Sequence, residues 1–108
     1  MELKTGVEDR ILTLRLMGEL DHHAAKEIMR KLELAIERHL PRQVVLDLRG
    51  VSFMDSSGLA VVLCAQRRMQ PLGGIAVVRN APSQARKVLE AANISRWIKI
   101  EEVSNEGR

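Results

Sequence analysis

Asp55, Ser56 and Ser57 stand in a row, and a second carboxylate, Asp21, is followed directly by His22 and His23. Such a set of side chains allows several chemistries. A Ser hydroxyl paired with a His that a third group orients is the arrangement of a nucleophilic hydrolase. Histidines and carboxylates together can ligate a metal. A hydroxyl at the positive end of a helix is a tolerant place for an anion such as phosphate. The same short oxygens also cap helices by accepting from the unpaired amides of the first turn, with no further function.

Spacing removes two of these. No Gly-x-Ser-x-Gly elbow surrounds either serine, and one small domain has no second layer of loops to build a deep, dry pocket. Adjacent His22 and His23 point about 100° apart on a helix and cannot grip one metal from one face, and neither His39 nor any carboxylate stands at a metal-ligand spacing. No metal or cofactor is therefore expected. Gly73-Gly74 reads as a turn before a strand and not as a phosphate loop. The cap and the anion site stay open at this level.

The elements that position these residues follow from periodicity. Residues 2–7 suggest a short edge strand, residues 7–10 a hairpin turn, and residues 10–17 a strand with Ile11 or Leu12 facing the core. Gly18-Glu-Leu-Asp21 ends that strand, and Asp21 is placed to cap the next helix. From Ala25, the residues Ile28, Met29, Leu32, Ile36 and Leu40 recur at steps of three and four opposite a charged face, an amphipathic helix that Pro41 stops. Residues 43–48 form a β-branched apolar strand, interrupted only by Asp47. The stretch from Val51 to Ala60 then joins this strand to a helix over residues 58–68, with Asp55, Ser56 and Ser57 at the joint. That helix is apolar on nearly every side, so it is either wholly buried or partly exposed for a partner. A breaker cluster at 70–74 precedes a buried strand at 75–78. Asn80-Ala-Pro82 opens a third helix with Ala85, Val88, Leu89 and Ala92 inward, Asn93 is a left-handed cap, and Ile94, Trp97, Ile98 and Ile100 suggest a final short strand or packed segment. Residues 101–108 are expected to fray.

Strands alternating with helices predict an α/β fold, a mixed but mostly parallel sheet after the first hairpin. In such a sheet the segments after the strands' carboxyl ends gather along one edge. The loops at Asp21 and at Asp55 both follow strands and should share that edge.

Composition bounds the classes of function. A chain of 108 residues is read as one domain, 1–108. With 2% aromatic residues, Phe53 and Trp97, it has no base-stacking platform, and its net charge of +3 is spread along the chain, so no nucleic-acid partner is expected. Lone Cys64 cannot form an internal disulfide, and no apolar run approaches the roughly 18 residues of a membrane span. A cytoplasmic protein without a membrane partner is the expectation.

Gly18-Glu-Leu-Asp-His-His23, followed by Val45-Leu-Asp-Leu-Arg-Gly-Val-Ser-Phe-Met-Asp-Ser-Ser-Gly-Leu59, resembles the anti-sigma-factor antagonists of the STAS family, those of the sporulation type above all. The resemblance runs over nearly the whole chain. It implies a single STAS domain, helices packed mainly on one face of the sheet, and a binding protein that is not an enzyme. The unphosphorylated form would bind an anti-sigma factor that is also a serine kinase with bound nucleotide, and so release the sigma factor. Ser56, the first Ser of Asp-Ser-Ser-Gly-Leu, corresponds to the family's phosphoacceptor, and a serine phosphatase would restore its hydroxyl. Asp21, His22, His23, Asp55, Ser57, Gly58 and Leu59 would form the partner surface of a monomer. Ala60 stands where the family usually has Gly. A STAS module of a stress-signalling complex or of a transport system is the alternative, which shares the Asp-Ser-Ser-Gly region but less readily Asp21-His22-His23.

Overall fold

The structure is a computed structural model, in which residues 1–102 are described. Five strands, β1 (Glu2–Glu8), β2 (Ile11–Leu20), β3 (Gln43–Met54), β4 (Ile75–Arg79) and β5 (Lys99–Glu101), lie side by side in sequence order. β1 and β2 form an antiparallel hairpin, and every later pair is parallel. Three helices make the crossovers: α1 (His22–His39), α2 (Ser57–Met69) and α3 (Ser83–Ala91). No helix among the described residues is long and apolar enough to cross a membrane.

The hairpin closes through Asp9 and Arg10 alone, both at positive φ, the paired left-handed geometry that matches the twist of the flanking strands. Leu12, not Ile11, faces the core. Leu12, Leu14 and Leu16 of β2 share one apolar cluster with Val44, Leu46 and Leu48 of β3, Ala76 and Val78 of β4, and the inward stripes of all three helices. α1 contributes Ala25, Ile28, Leu32 and Ile36, and α3 contributes Ala85 and Leu89. Val45 and Val77 alternate to the opposite sheet face and are also buried, which is why the runs Val44–Leu46 and Ala76–Val78 are apolar at every position.

Several boundaries differ from expectation. β2 does not end at Gly18, and β3 does not end at Leu48; the two strands run on together to Leu20 and Met54. Extended pairing keeps their backbone groups bonded, and it overrides the weak strand propensity of Gly18 and Gly50. Between Arg15 and Leu20 the pairing slips twice, so that β3 bulges against β2. Gly18 sits at one slip with φ +109°, and a Cβ on Gly50 would lie 2.5 Å from Met17 Cγ, so each bulge needs its glycine. Leu40 leaves the stripe of α1: it takes the left-handed cap conformation, φ 44°, and is exposed. Of the last apolar residues Ile94 and Ile98 are buried but Trp97 is exposed. Glu101, expected to begin the frayed tail, is paired in β5 and bonded to Arg79, while residues 103–108 lie outside the described residues.

Candidate functional site

Leu20 and Met54 are paired at the ends of β2 and β3, and the Asp55 amide donates to the Leu20 carbonyl at 3.4 Å. The loops carrying Asp21 and Ser56 are thus tied together at the carboxyl edge of the sheet. At Asp21 the cap is made as expected: Ala24 N donates to Asp21 Oδ1 at 3.0 Å and Ala25 N to the Asp21 carbonyl at 2.8 Å. The amide of Ala24 first, and then the charge and amide of His23, hold the Asp21 carboxyl below its ordinary pKa. His22 and His23 are the exposed first residues of α1, their rings 5.9 Å apart edge to face. His39 ends the same 18-residue helix, about 1.5 Å of rise per residue away, and cannot join them.

At the second loop, where the sequence makes Asp55, Ser56 and Ser57 all candidates for the cap, the bond is made by Asp55 and not by a serine. Ser56 already has helical backbone angles, φ −64° and ψ −16°, and its side chain makes no cap bond. A cap that folds its oxygen back over the first turn needs extended backbone at that residue. Asp55, one residue earlier, does the work instead: Ser57 N donates to Asp55 Oδ1 at 2.8 Å and Gly58 N to the Asp55 carbonyl at 3.0 Å. Ser56 is left exposed at the N-terminus of α2, whose first turn carries no acidic residue. Ser57 is half-buried. The Ser56 hydroxyl is therefore spared structural duty and faces water at the positive end of a helix.

Gly58 is buried, and its missing side chain has an internal cause. A Cβ there would lie 2.4 Å from Met54 Cγ, 2.5 Å from Met54 Sδ and 3.2 Å from Leu20 Cδ2. The start of α2 thus rests directly on the strand ends. Leu59 is partly buried against the core. The two open readings of α2 are each partly right, because Val61, Val62, Cys64, Ala65 and Met69 are buried while Ala60 and Leu63 remain exposed.

Two residues near the site escaped the sequence reading. Phe53, the penultimate residue of β3, is 44% exposed, an apolar ring offered to solvent beside the loop. Gln84, in the first turn of α3, meets Met54 with both ends of its amide: Met54 N donates to Gln84 Oε1 and Gln84 Nε2 donates to the Met54 carbonyl, each at 2.8 Å. Phe53 could have been suspected from its place two residues before Asp55. Nothing local marks Gln84, which lies 30 residues away from its partner in sequence.

The STAS domain profile matches residues 2–107. The chain belongs to the STAS domain family. An anti-sigma F factor antagonist of Lysinibacillus sphaericus is 36% identical over 87 residues, 81% of this chain and 74% of that protein. One from Paenibacillus polymyxa is 32% identical over 90 residues, covering 83% of this chain and 77% of that protein. Among solved structures, the anti-sigma factor antagonist SpoIIAA in its unphosphorylated form superposes with a TM-score of 0.84 at 28% identity, covering 96% of this chain and 90% of that one. The phosphorylated form of the Bacillus cell fate determinant SpoIIAA gives 0.75 at the same identity, over 96% and 93%. The α/β architecture with a mostly parallel five-stranded sheet is that of SpoIIAA.

Proposed function

We propose that this STAS domain is an anti-sigma factor antagonist, a binding protein and not an enzyme, whose active form carries a free Ser56 hydroxyl. In that form it binds an anti-sigma factor that is a serine kinase with bound nucleotide, and the sigma factor is released. Phosphorylation of Ser56 ends binding, and a serine phosphatase restores it. These events belong to the cytoplasm. The observation that carries the reading is the division of labour at the start of α2, where Asp55 caps the helix and leaves Ser56 exposed and uncommitted. A hydroxyl engaged in a cap would have to surrender a hydrogen bond before it could attack a phosphoryl group, and this one does not. The names of the two relatives, both above 30% identity, and the existence of a phosphorylated SpoIIAA of the same fold support the same conclusion.

We assign Asp21, His22, His23, Asp55, Ser57 and Leu59 to one contact surface with Ser56, on loops that the Asp55–Leu20 bond ties together, with exposed Phe53 as its apolar anchor. Gly58 acts from beneath, by letting α2 settle on Met54. A groove of about 620 Å³ between α1 and α2, lined by residues such as Met29, Glu33, Cys64 and Arg68, includes none of these residues.

The deciding experiment mixes the purified domain with kinase-type anti-sigma factors and ATP, maps the phosphate by mass spectrometry, and titrates binding before and after. Phosphate on Ser56 with loss of binding is the expected result. Phosphate on Ser57, or a Ser56→Ala variant that still accepts phosphate, would overturn the assignment.

A further inference from the structure

β3 reaches seven residues beyond the last one that β4 covers: the β3–β4 pairing stops at Asp47, while β3 itself ends at Met54. On its β2 side Met54 is held by the pairing with Leu20. On the other side there is no strand, and in a parallel ladder a residue's N–H and C=O point to the same neighbour. The Gln84 amide fills that place, offering one acceptor and one donor at 2.8 Å to the two backbone groups that a strand would have bonded. The next residue is Asp55, whose amide turns back to Leu20 and whose carboxylate organises the start of α2. The backbone is therefore gripped from both sides immediately before the serines, and one of the two grips belongs to α3.

We propose that Gln84 is the positioning residue of the Asp55-Ser56-Ser57 loop: its amide substitutes for a missing strand, fixes the exit direction of β3, and couples α3 to the place where Ser56 is presented. Its role in phosphorylation rests on the function proposed above, whereas its role in holding the loop does not. Gln84 lies at the surface, so water takes over both bonds when the side chain is changed. The effect of a substitution is then local order at the loop and not loss of the fold.

The test uses the whole domain with Gln84→Met, which keeps the length and removes both bonds, and Gln84→Glu, which at neutral pH keeps only acceptors. Amide exchange at Met54, Ser57 and Gly58 is expected to accelerate roughly tenfold in Gln84→Met, as the loss of two neutral hydrogen bonds implies, and by a smaller factor in Gln84→Glu, which still accepts from Met54 N but cannot donate to the Met54 carbonyl, with exchange at Leu14 and Leu46 unchanged and the melting temperature within roughly 4 °C of wild type in both. At about pH 4 the Gln84→Glu carboxyl regains a donor, and protection relative to wild type at the same pH recovers, whereas Gln84→Met does not recover. In the kinase reaction, kcat falls about fivefold or more with KM little changed. Unchanged exchange at Met54 and Ser57 overturns the proposal. So does a rise in KM alone, which would make Gln84 a contact for the kinase. A wild-type domain that takes no phosphate defeats the functional reading only, and the exchange measurements then decide the role of Gln84 by themselves.

Discussion

Replacing Gly58 by Ala tests the packing at the centre of the site. The new Cβ would stand 2.4 Å from Met54 Cγ and 2.5 Å from Sδ, where ordinary carbon contacts begin at about 3.5 Å, so Met54 must retreat by about 1 Å. Met54 is fully buried and has Leu20, also buried, beside it, so retreat means an unfavourable rotamer in a filled core. Overpacking of this kind costs about 1–3 kcal/mol. Ala gains at most about 0.5–1 kcal/mol over Gly in a helix, and less in a first turn. Crowding wins, with a net loss of about 1–2 kcal/mol, or roughly 4–16 °C in melting temperature for a domain of this size. Urea unfolding should show a lower midpoint at constant slope. Shortening the obstacle gives the control: in Gly58→Ala with Met54→Ala, the pair should cost at least about 1 kcal/mol less than the sum of the single changes. A Gly58→Ala protein as stable as wild type would refute the packing account. Loss of partner binding at full stability would instead make Gly58 a contact residue.

Asp21→Asn retains an oxygen for Ala24 and removes the charge, so the melting curve should barely move while calorimetric affinity for the kinase falls; unchanged affinity would leave Asp21 a cap and nothing more. Glu33 is held below its ordinary pKa first by its hydrogen bonds from Arg68, at 2.7 and 3.1 Å to one oxygen. A depressed carboxyl adds stability that is fully present above its unfolded pKa, about 4.3, and is lost as pH falls through the lower folded value, so Arg68→Ala should flatten the stability-versus-pH curve below about pH 4 and leave its neutral shape alone. Burial first, and then Glu33, raise the pKa of the Cys64 thiol, and native protein should therefore resist thiol labelling at pH 8 until it is unfolded. Phosphate on Ser56 adds about 1.5–2 negative charges, favoured by the helix terminus by roughly 0.3–1 kcal/mol and opposed by Asp55. Cooperative melting should survive, with amide shifts confined to residues 54–60 and the Asp21 loop; shifts through β4 would mean that the phosphate remodels the domain.

The sequence by itself determined whatever depends on neighbours a few positions apart. The three-and-four spacing of Ala25, Ile28, Leu32 and Ile36 marked the buried stripe of α1, Pro41 and Pro82 marked helix limits, and Asn93 was legible as a left-handed residue, φ 54°, because few other types accept that conformation. Helix-length crossovers made the sheet parallel, and a parallel sheet gathers its loops on one edge, so Asp21 could be brought to Asp55 without coordinates. Tertiary structure decided what depends on partners far along the chain. β3 runs to Met54 because β2 accompanies it, a fact of pairing to which Arg49 and Gly50 give no local clue. Whether Asp55 or a serine caps α2 turned on the backbone angles at Ser56, where the helix begins one residue sooner than a serine cap would need. Gly58 and Gln84 are explained only by Met54, one through space a Cβ cannot enter and the other through hydrogen bonds that span 30 positions. Periodicity reports which side of an element is buried, and it carries no record of which distant atom lies against that side.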